Sequence, residues 1–195
     1  MPKTIKKKLQ DVKRELILEE AAKWFESVGY EDVKVSDLAK NVGVSVGTIY
    51  GLFDSKEGLY FAYVRHQIAK YVQTLEKQME KIAEPEKQLR AVFEMKFGVM
   101  AAKRRAVEEC VYNNPLFFSN VRHNTPDLLG GVYVLLSGII ARINPALGAE
   151  EAEKLAYAFV GLSDGYVSHW LYTDGDLLAR LDTMHSQMLT MIKGC

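Results

Sequence analysis

The chain has few cysteines, few histidines and no net charge, and each scarcity excludes a class of protein. Its two cysteines, Cys110 and Cys195, are too far apart in sequence for a metal knuckle or a redox pair, so we expect free thiols. None of the four histidines follows a glutamate by three residues, as a di-iron bundle requires. No glycine-rich phosphate loop or Ser/His/Asp order is present either. We therefore expect a protein that is not an enzyme and needs no metal or other cofactor.

Long apolar runs are also missing. The longest segment without a charged residue, residues 128–141, is shorter than the ~20 apolar residues that a membrane-spanning helix needs. The first residues are rich in lysine and lack the apolar core of a signal peptide. We therefore expect a cytoplasmic protein with no membrane partner.

The zero net charge hides an uneven distribution. Lysine and arginine number 25, as do aspartate and glutamate, yet residues 1–14 hold an excess of five cations and residues 15–60 an excess of five anions. A basic N-terminal arm of this kind suits binding to nucleic acid phosphates. From charge alone, a solvated tail explains the arm equally well.

Apolar residues recur at three- and four-residue steps along most of the chain, and no strand-length alternation with a period of two interrupts them. The sequence therefore predicts an all-α fold of about nine helices. Glycine and proline, such as Gly29 and Pro85, mark the expected ends. The expected helices cover residues 10–28, two short segments within 36–53, then 55–82, 86–105, 116–121, 126–144, 150–171 and 176–193.

Residues 36–53 have the composition of a helix-turn-helix. Ala39 is small where two helices would cross, Gly43 suits a turn that needs a positive φ, and Ser45 suits the N-cap of the second helix. The outward side of that second helix is short and uncharged, so it can approach a DNA groove closely. An ordinary pair of buried helices could show the same small residues.

The segment SVGTIYGLFDSKEGLY, residues 45–60, preceded by VGYEDVKVSDLAKNVGV, resembles the DNA-binding domain of the TetR family of transcriptional regulators. The resemblance implies a basic arm and helix-turn-helix domain over residues 1–60 and a larger helical domain over residues 61–195 that binds a small-molecule effector and dimerises. It also implies a homodimeric repressor that places two recognition helices in successive major grooves of a palindromic operator. A helical ligand- or partner-binding protein without operator binding is the alternative.

The resemblance assigns roles residue by residue. It implies that the start of the second helix of the helix-turn-helix approaches bases and phosphates. It also implies that Tyr50 and Lys56 contact the DNA backbone. The chain departs from the family where Val33 and Lys34 replace a threonine pair, so Lys34 can supply a phosphate contact but not a cap. The predicted DNA contacts are Lys6, Lys7, Lys8, Lys34, Ser36, Ser45, Val46, Gly47, Thr48, Tyr50 and Lys56.

The larger domain is expected to hold the effector among its middle helices. Its aromatic and methionine side chains suit a bulky lipophilic or aromatic molecule, although most of them would serve equally well as plain core. Such a ligand would wedge between helices and swing the fourth helix as a lever. The candidate lining residues are Phe93, Phe97, Met100, Asn113, Phe117, Tyr133, Tyr166 and Trp170.

The last two helices are predicted to pair with a second copy of the chain. The last helix has apolar residues at steps of four and three. The helix before it has a stripe of small residues that permits close approach. Packing within one subunit is the alternative for both. The predicted interface residues are Ala158, Gly161, Gly165, Leu177, Leu181, Met184 and Met188.

Overall fold

The structure, a computed structural model, describes residues 3–113 and 126–194. The described residues form nine α-helices and one 3-10 turn without a strand, which confirms the all-α prediction. They divide into two compact units, residues 1–68 and residues 69–195. In chain order the helices are α1 (Lys3–Val28), α2 (Val35–Val42), α3 (Val46–Phe53), α4 (Lys56–Met79), α5 (Pro85–Ala102), α6 (Arg104–Asn113), α7 (Pro126–Ile143), α8 (Ala149–Thr173) and α9 (Leu181–Gly194), with the 3-10 turn (Leu178–Arg180) before α9.

The first unit packs α1, α2, α3 and the start of α4 around one small apolar core. Ile17, Leu38 and Ile49, one from each of the first three helices, are completely buried there. The Ser55 side chain accepts a hydrogen bond of 2.9 Å from the Gly58 amide and so caps α4. A Cβ at Gly58 would lie 2.0 Å from the Phe53 carbonyl oxygen, so only glycine fits this junction.

Helix α1 is longer than the sequence indicated. We expected it to begin near residue 10, but it begins at Lys3, so the basic arm forms the first turns of α1 rather than an extended tail. The segment from Lys3 to Val28 contains no glycine or proline and is rich in lysine, leucine and glutamate, which favour helix.

The second unit contains the end of α4 and all later helices, packed around the larger apolar core. The helix expected over residues 86–105 is instead two helices. The first, α5, ends at Ala102, and the second, α6, covers most of residues 106–115, which the sequence analysis left without a helix. Lys103 forms the junction: its amide donates to Val99 at 3.1 Å and its carbonyl accepts from Val107 at 3.0 Å. The junction contains no glycine or proline, so the sequence carried no sign of it. The segment expected at 116–121 lies outside the described residues.

The predicted dimer seam on the last helix is wrong. Its apolar residues face the core of their own subunit, so they cannot also form a surface for a second copy. Packing within the subunit, which the sequence left open, is what the structure has. The four side chains concerned, each at most 1% exposed, are Leu177, Leu181, Met184 and Met188.

The last helix also starts later than expected. Residues 174–177 form a loop in which Asp174 and Gly175 adopt positive φ angles of 58° and 93°. The 3-10 turn and then α9, from Leu181, follow this loop. The Asp176 carboxylate accepts a bond of 2.8 Å from the Leu178 amide. Among the described helices, none has both the length and the hydropathy needed to cross a membrane.

Candidate DNA-binding and effector sites

The turn between α2 and α3 has the geometry that the sequence predicted. Gly43 lies in the left-handed region at φ 73°, and the Val44 amide donates to the Ala39 carbonyl at 2.9 Å. Ser45 caps α3, because its hydroxyl oxygen accepts from the Thr48 amide at 3.1 Å. The amides of the first turn of α3 therefore have a fixed direction, and the partial positive charge of a helix N-terminus favours an anion there.

The outward side of α3 is uncharged and accessible. Ile49 and Phe53 hold the helix in the core at 0% and 3% exposure. Tyr50 is 42% exposed. Gly47 is exposed, and Val46 and Thr48 are partly exposed.

Helix α2 shows how the chain accommodates its departures from the family pattern. Lys34 occupies the N-cap with an extended backbone, and its side chain makes no capping bond within the described helix. Val33 is 2% exposed and packs in the core. Lys34 and Ser36 are both exposed. Where the family has a hydroxyl group, this chain therefore has an apolar side chain, Val33, that packs in the core.

Lys56 is tied to the turn between α1 and α2. Its ammonium donates to the Glu31 carbonyl at 2.9 Å and lies 4.7 Å from the ring centre of Tyr30. Burial, together with the carboxylates of Glu57 and Glu31, raises the pKa of Tyr30, so its phenol stays neutral. An ammonium group has three N–H donors, so a phosphate would share Lys56 with the Glu31 carbonyl.

Arg14 anchors the end of α3, and the sequence analysis missed this contact. Its Nη1 donates to the Leu52 carbonyl at 2.7 Å, and its guanidinium carbon lies 4.4 Å from the ring centre of Phe53. Both partners belong to the last turn of α3, whose carbonyls lack helical partners. Arg14 precedes the buried Ile17 by three residues, so a cation on the core side of α1 was the available signal.

The lysines of α1 extend the same side of the helix. Lys7 precedes Arg14 by seven residues, which is about two turns, so both lie on one face. Lys7 and Lys8 are exposed. The side chain of Lys6 lies outside the described residues.

Most of the predicted effector-lining residues lie in the core of the second unit. Met100 and Tyr166 are only partly buried and pack against that core. The side chain of Asn113 and all of Phe117 lie outside the described residues. The fully buried members of the set are Phe93, Phe97, Tyr133 and Trp170, at 1%, 0%, 9% and 3% exposure.

Comparison with known proteins supplies the family. A sequence profile described as bacterial regulatory proteins, tetR family, matches residues 17–63, the segment that holds the core of the first unit. The fatty acid metabolism regulator protein of Bacillus subtilis is 25% identical over 166 residues, covering 81% of this chain and 83% of that protein. The HTH-type transcriptional regulator BetI of Yersinia pestis is 26% identical over 163 residues, covering 80% of each.

A solved structure agrees with this match. The transcriptional regulator FadR from Bacillus subtilis, in complex with stearoyl-CoA, has a TM-score of 0.67 at 22% identity and covers 90% of this chain and 97% of its own. Residues 17–63 of this chain therefore match the TetR family of regulatory proteins. The match and the names of the relatives support a DNA-binding transcriptional regulator. Its relatives are named as regulators and not as enzymes.

A buried ion pair lies in the core of the second unit. Lys96 on α5 donates to the Asp164 carboxylate at 2.5 Å and to the Ser163 hydroxyl at 2.7 Å, both on α8. The side chains of Lys96 and Asp164 are 16% and 12% exposed. The pair joins α5 to α8 across an otherwise apolar region.

A second polar group holds the end of α4. The Gln88 side-chain amide donates to the carbonyls of Met79 and Ile82 at 2.9 and 2.7 Å, where α4 stops. Arg142 on α7 donates to the oxygen of the same amide. Gln88 is 6% exposed, so this network lies inside the second unit.

The outer face of α8 carries small residues. Ala158, Gly161 and Gly165 are exposed, and a Cβ added at either glycine would meet no described atom within 4 Å. Beside them, Tyr157 is 53% exposed and stacks on Tyr133 with ring centres 4.0 Å apart. The small-residue stripe predicted from the sequence thus lies on the surface, unlike the apolar residues of α9.

Proposed function

We propose that this TetR-family regulator is a homodimeric repressor that binds a palindromic operator and releases it when a lipophilic effector binds. The observation that carries the proposal is the uncharged outer side of α3, capped by Ser45 and held in a rigid core. Two such helices about 34–36 Å apart would enter successive major grooves. The proposed site of action is the cytoplasm, because bacterial operators lie there.

The proposed DNA contacts divide into base and backbone contacts. Val46 and Thr48 supply methyl groups for thymine, and Gly47 lets the helix backbone approach a base closely. The proposed phosphate contacts are Lys6, Lys7, Lys8, Lys34, Ser36, Ser45, Tyr50 and Lys56. Phosphate contacts fix position and depend on salt, whereas the methyl contacts carry sequence preference.

The proposed effector is a long-chain acyl thioester. Its acyl chain would enter among Phe93, Phe97, Met100 and Tyr166, where apolar side chains from α5 and α8 meet. The Bacillus subtilis FadR structure contains stearoyl-CoA, and a relative of this chain is named as a fatty acid metabolism regulator. We therefore propose acyl thioesters ahead of other lipophilic effectors. The effector would act by tilting α4, which then changes the separation of the two α3 helices.

The proposed dimer uses the outer face of α8. Ala158, Gly161 and Gly165 permit close approach of a second helix, and the exposed Tyr157 lies beside them. On α9 the outward residues, such as the 42% exposed Met191, replace the buried seam that the sequence suggested. A pair of helices from each subunit would form a four-helix bundle.

Selection of genomic fragments on the immobilised protein tests operator binding and yields the operator sequence. A mobility shift with that operator, titrated with stearoyl-CoA and with free CoA, then tests the effector. We expect the acyl thioester to release the DNA and free CoA to leave it bound. Enrichment of no common sequence would contradict the operator, and release by both compounds or by neither would contradict the effector class.

A further inference from the structure

The ion pair between Lys96 and Asp164 places two charges next to residues proposed to line the acyl chain. Lys96 follows Phe93 by three residues and precedes Met100 by four, so these three residues share one face of α5. The side chains of the pair retain 16% and 12% exposure, so the pair is largely buried without being sealed off. A ligand that enters between α5 and α8 would therefore meet these charges.

The stability of the fold does not explain a pair of this kind. Buried ion pairs often stabilise a protein no more than apolar side chains of similar volume, because the loss of hydration offsets the attraction between the charges. Ligand sites, in contrast, are mostly apolar and contain a few fixed polar groups that orient the ligand. The position of Lys96 and Asp164 among apolar side chains matches that second description.

The hydrogen bonds of the cluster determine which ligand group fits. The Ser163 hydroxyl accepts from Lys96 at 2.7 Å and donates its single proton to the Val160 carbonyl at 2.7 Å. The Asp164 carboxylate can only accept. Lys96 is thus the donor among these three side chains, and a ligand group that binds there must be an acceptor. A ligand carbonyl would replace the Ser163 hydroxyl as the acceptor, and Ser163 would keep its bond to Val160.

The charge of Asp164 distinguishes a neutral carbonyl from a carboxylate. A carboxylate at this position would place two anions beside one ammonium in apolar surroundings, whereas a thioester or ester carbonyl adds no charge. We propose that Lys96 donates a hydrogen bond to the carbonyl of an acyl thioester, and that Asp164 excludes free fatty acids from the same position. This inference rests on the proposed effector class and assigns the two residues that recognise its polar group.

Two ligands that differ in one group test the carbonyl contact with the full-length protein. In S-octadecyl-CoA a CH2 group replaces the carbonyl of stearoyl-CoA, and isothermal titration calorimetry measures the affinity of both. We expect stearoyl-CoA to bind the parent at least about tenfold more tightly, because the lost bond has a charged donor. In the double variant Lys96→Met with Asp164→Leu, the two ligands should bind equally.

A surface ion pair of α8 supplies the matched control. Lys154 and Glu150 are exposed and lie 2.8 Å apart. Their replacement, Lys154→Met with Glu150→Leu, also removes one cation and one anion, and it should preserve the preference for stearoyl-CoA.

The exclusion of free acids has a test of its own. Asp164→Asn keeps the shape of the side chain and removes its negative charge, so the carboxylate of laurate can pair with Lys96. We expect this variant to bind laurate about tenfold more tightly than the parent does. This measurement, like the comparison of the two CoA compounds on the parent, does not depend on the folding of the double variant.

Equal affinity of the parent for both CoA compounds, or a preference that persists in the double variant, would overturn the carbonyl contact. Laurate binding that Asp164→Asn leaves unchanged would overturn the exclusion of free acids. If stearoyl-CoA still releases the operator in those cases, the proposed function stands and only this inference fails. Binding of neither CoA compound would overturn the effector class together with this inference, and operator titration in parallel would show whether DNA binding remains.

Discussion

Arg14 shows how one side chain can position the recognition helix without touching DNA. The last carbonyls of a helix lack partners within the helix, and Arg14 supplies a charged donor to the one on Leu52. Its stacking over Phe53 adds an attraction between cation and ring. A short helix such as α3 gains most from such a bond, because most of its backbone groups belong to a terminus.

Replacement of Arg14 therefore changes more than charge. We expect Arg14→Ala to lower the free energy of unfolding by about 1–3 kcal/mol and to weaken operator binding. Arg14→Lys keeps the charge but not the planar fork, so it should restore only part of the lost stability. Urea unfolding and operator titration at two salt concentrations measure both effects. Full stability in Arg14→Ala would contradict the anchoring role.

The Lys96–Asp164 pair makes a second residue-scale prediction. Removing one partner leaves a buried charge, so Lys96→Met alone should cost about 3–5 kcal/mol of stability. The double replacement Lys96→Met with Asp164→Leu removes both charges and should recover most of that loss. Urea unfolding of the parent, the single variant and the double variant measures the loss and the recovery. A single variant as stable as the parent would show that the pair is solvated.

What the sequence predicted at this scale was local. Gly43 and Ser45 could be assigned from their neighbours, because a turn angle and an N-cap involve partners within about four residues. Arg14 bonds to a residue 38 positions away and Lys96 to one 68 positions away, and no periodic pattern connects such pairs. The burial of Met184 was also unpredictable, since an apolar seam has the same sequence pattern whether it packs on the core of its own subunit or on a second copy.

At the scale of elements, the helical start of α1 sets the direction of its lysines. A helix presents Lys7 on the side of Arg14, whereas a flexible tail would present it in no fixed direction. We expect Lys7→Gln with Lys8→Gln to weaken operator binding and to reduce the slope of log affinity against log salt by about 2. The matched control replaces Lys77 and Lys81, exposed lysines of the second unit. An equal loss in the control would mean that net charge alone matters.

Helix boundaries were predictable where a glycine or proline marks them. Pro85 begins α5, and α1 ends just before Gly29. The α5–α6 junction at Lys103 has no such marker, because a bend of one residue costs little backbone bonding. The start of α1 was missed because polar helical turns carry no apolar core pattern.

At the scale of the whole molecule, the outer face of α8 separates folding from assembly. Gly161→Leu adds a good helix former where an added Cβ meets no described atom, so each subunit should gain about 1 kcal/mol. The same side chain would hold a second helix away, so the proposed dimer should dissociate at a higher protein concentration than in the parent. Sedimentation over the micromolar range and thermal unfolding measure the two effects. Gly161→Ala is the control, with the gain in stability but a smaller loss of association. An unchanged dimer in Gly161→Leu would exclude this face.

The Gln88 network has a consequence for the genetics of the regulator. The Gln88 amide donates to the carbonyl of Met79, the last residue of α4, and to that of Ile82 just beyond it, and Arg142 donates to the oxygen of the same amide. Loss of either side chain would leave the end of α4 free to tilt without a ligand. If the proposed repression holds, cells selected for constant expression of the target genes should yield mutations at Gln88 and Arg142 as well as in α3. The two classes would differ because only the first leaves the residues of α3 unchanged.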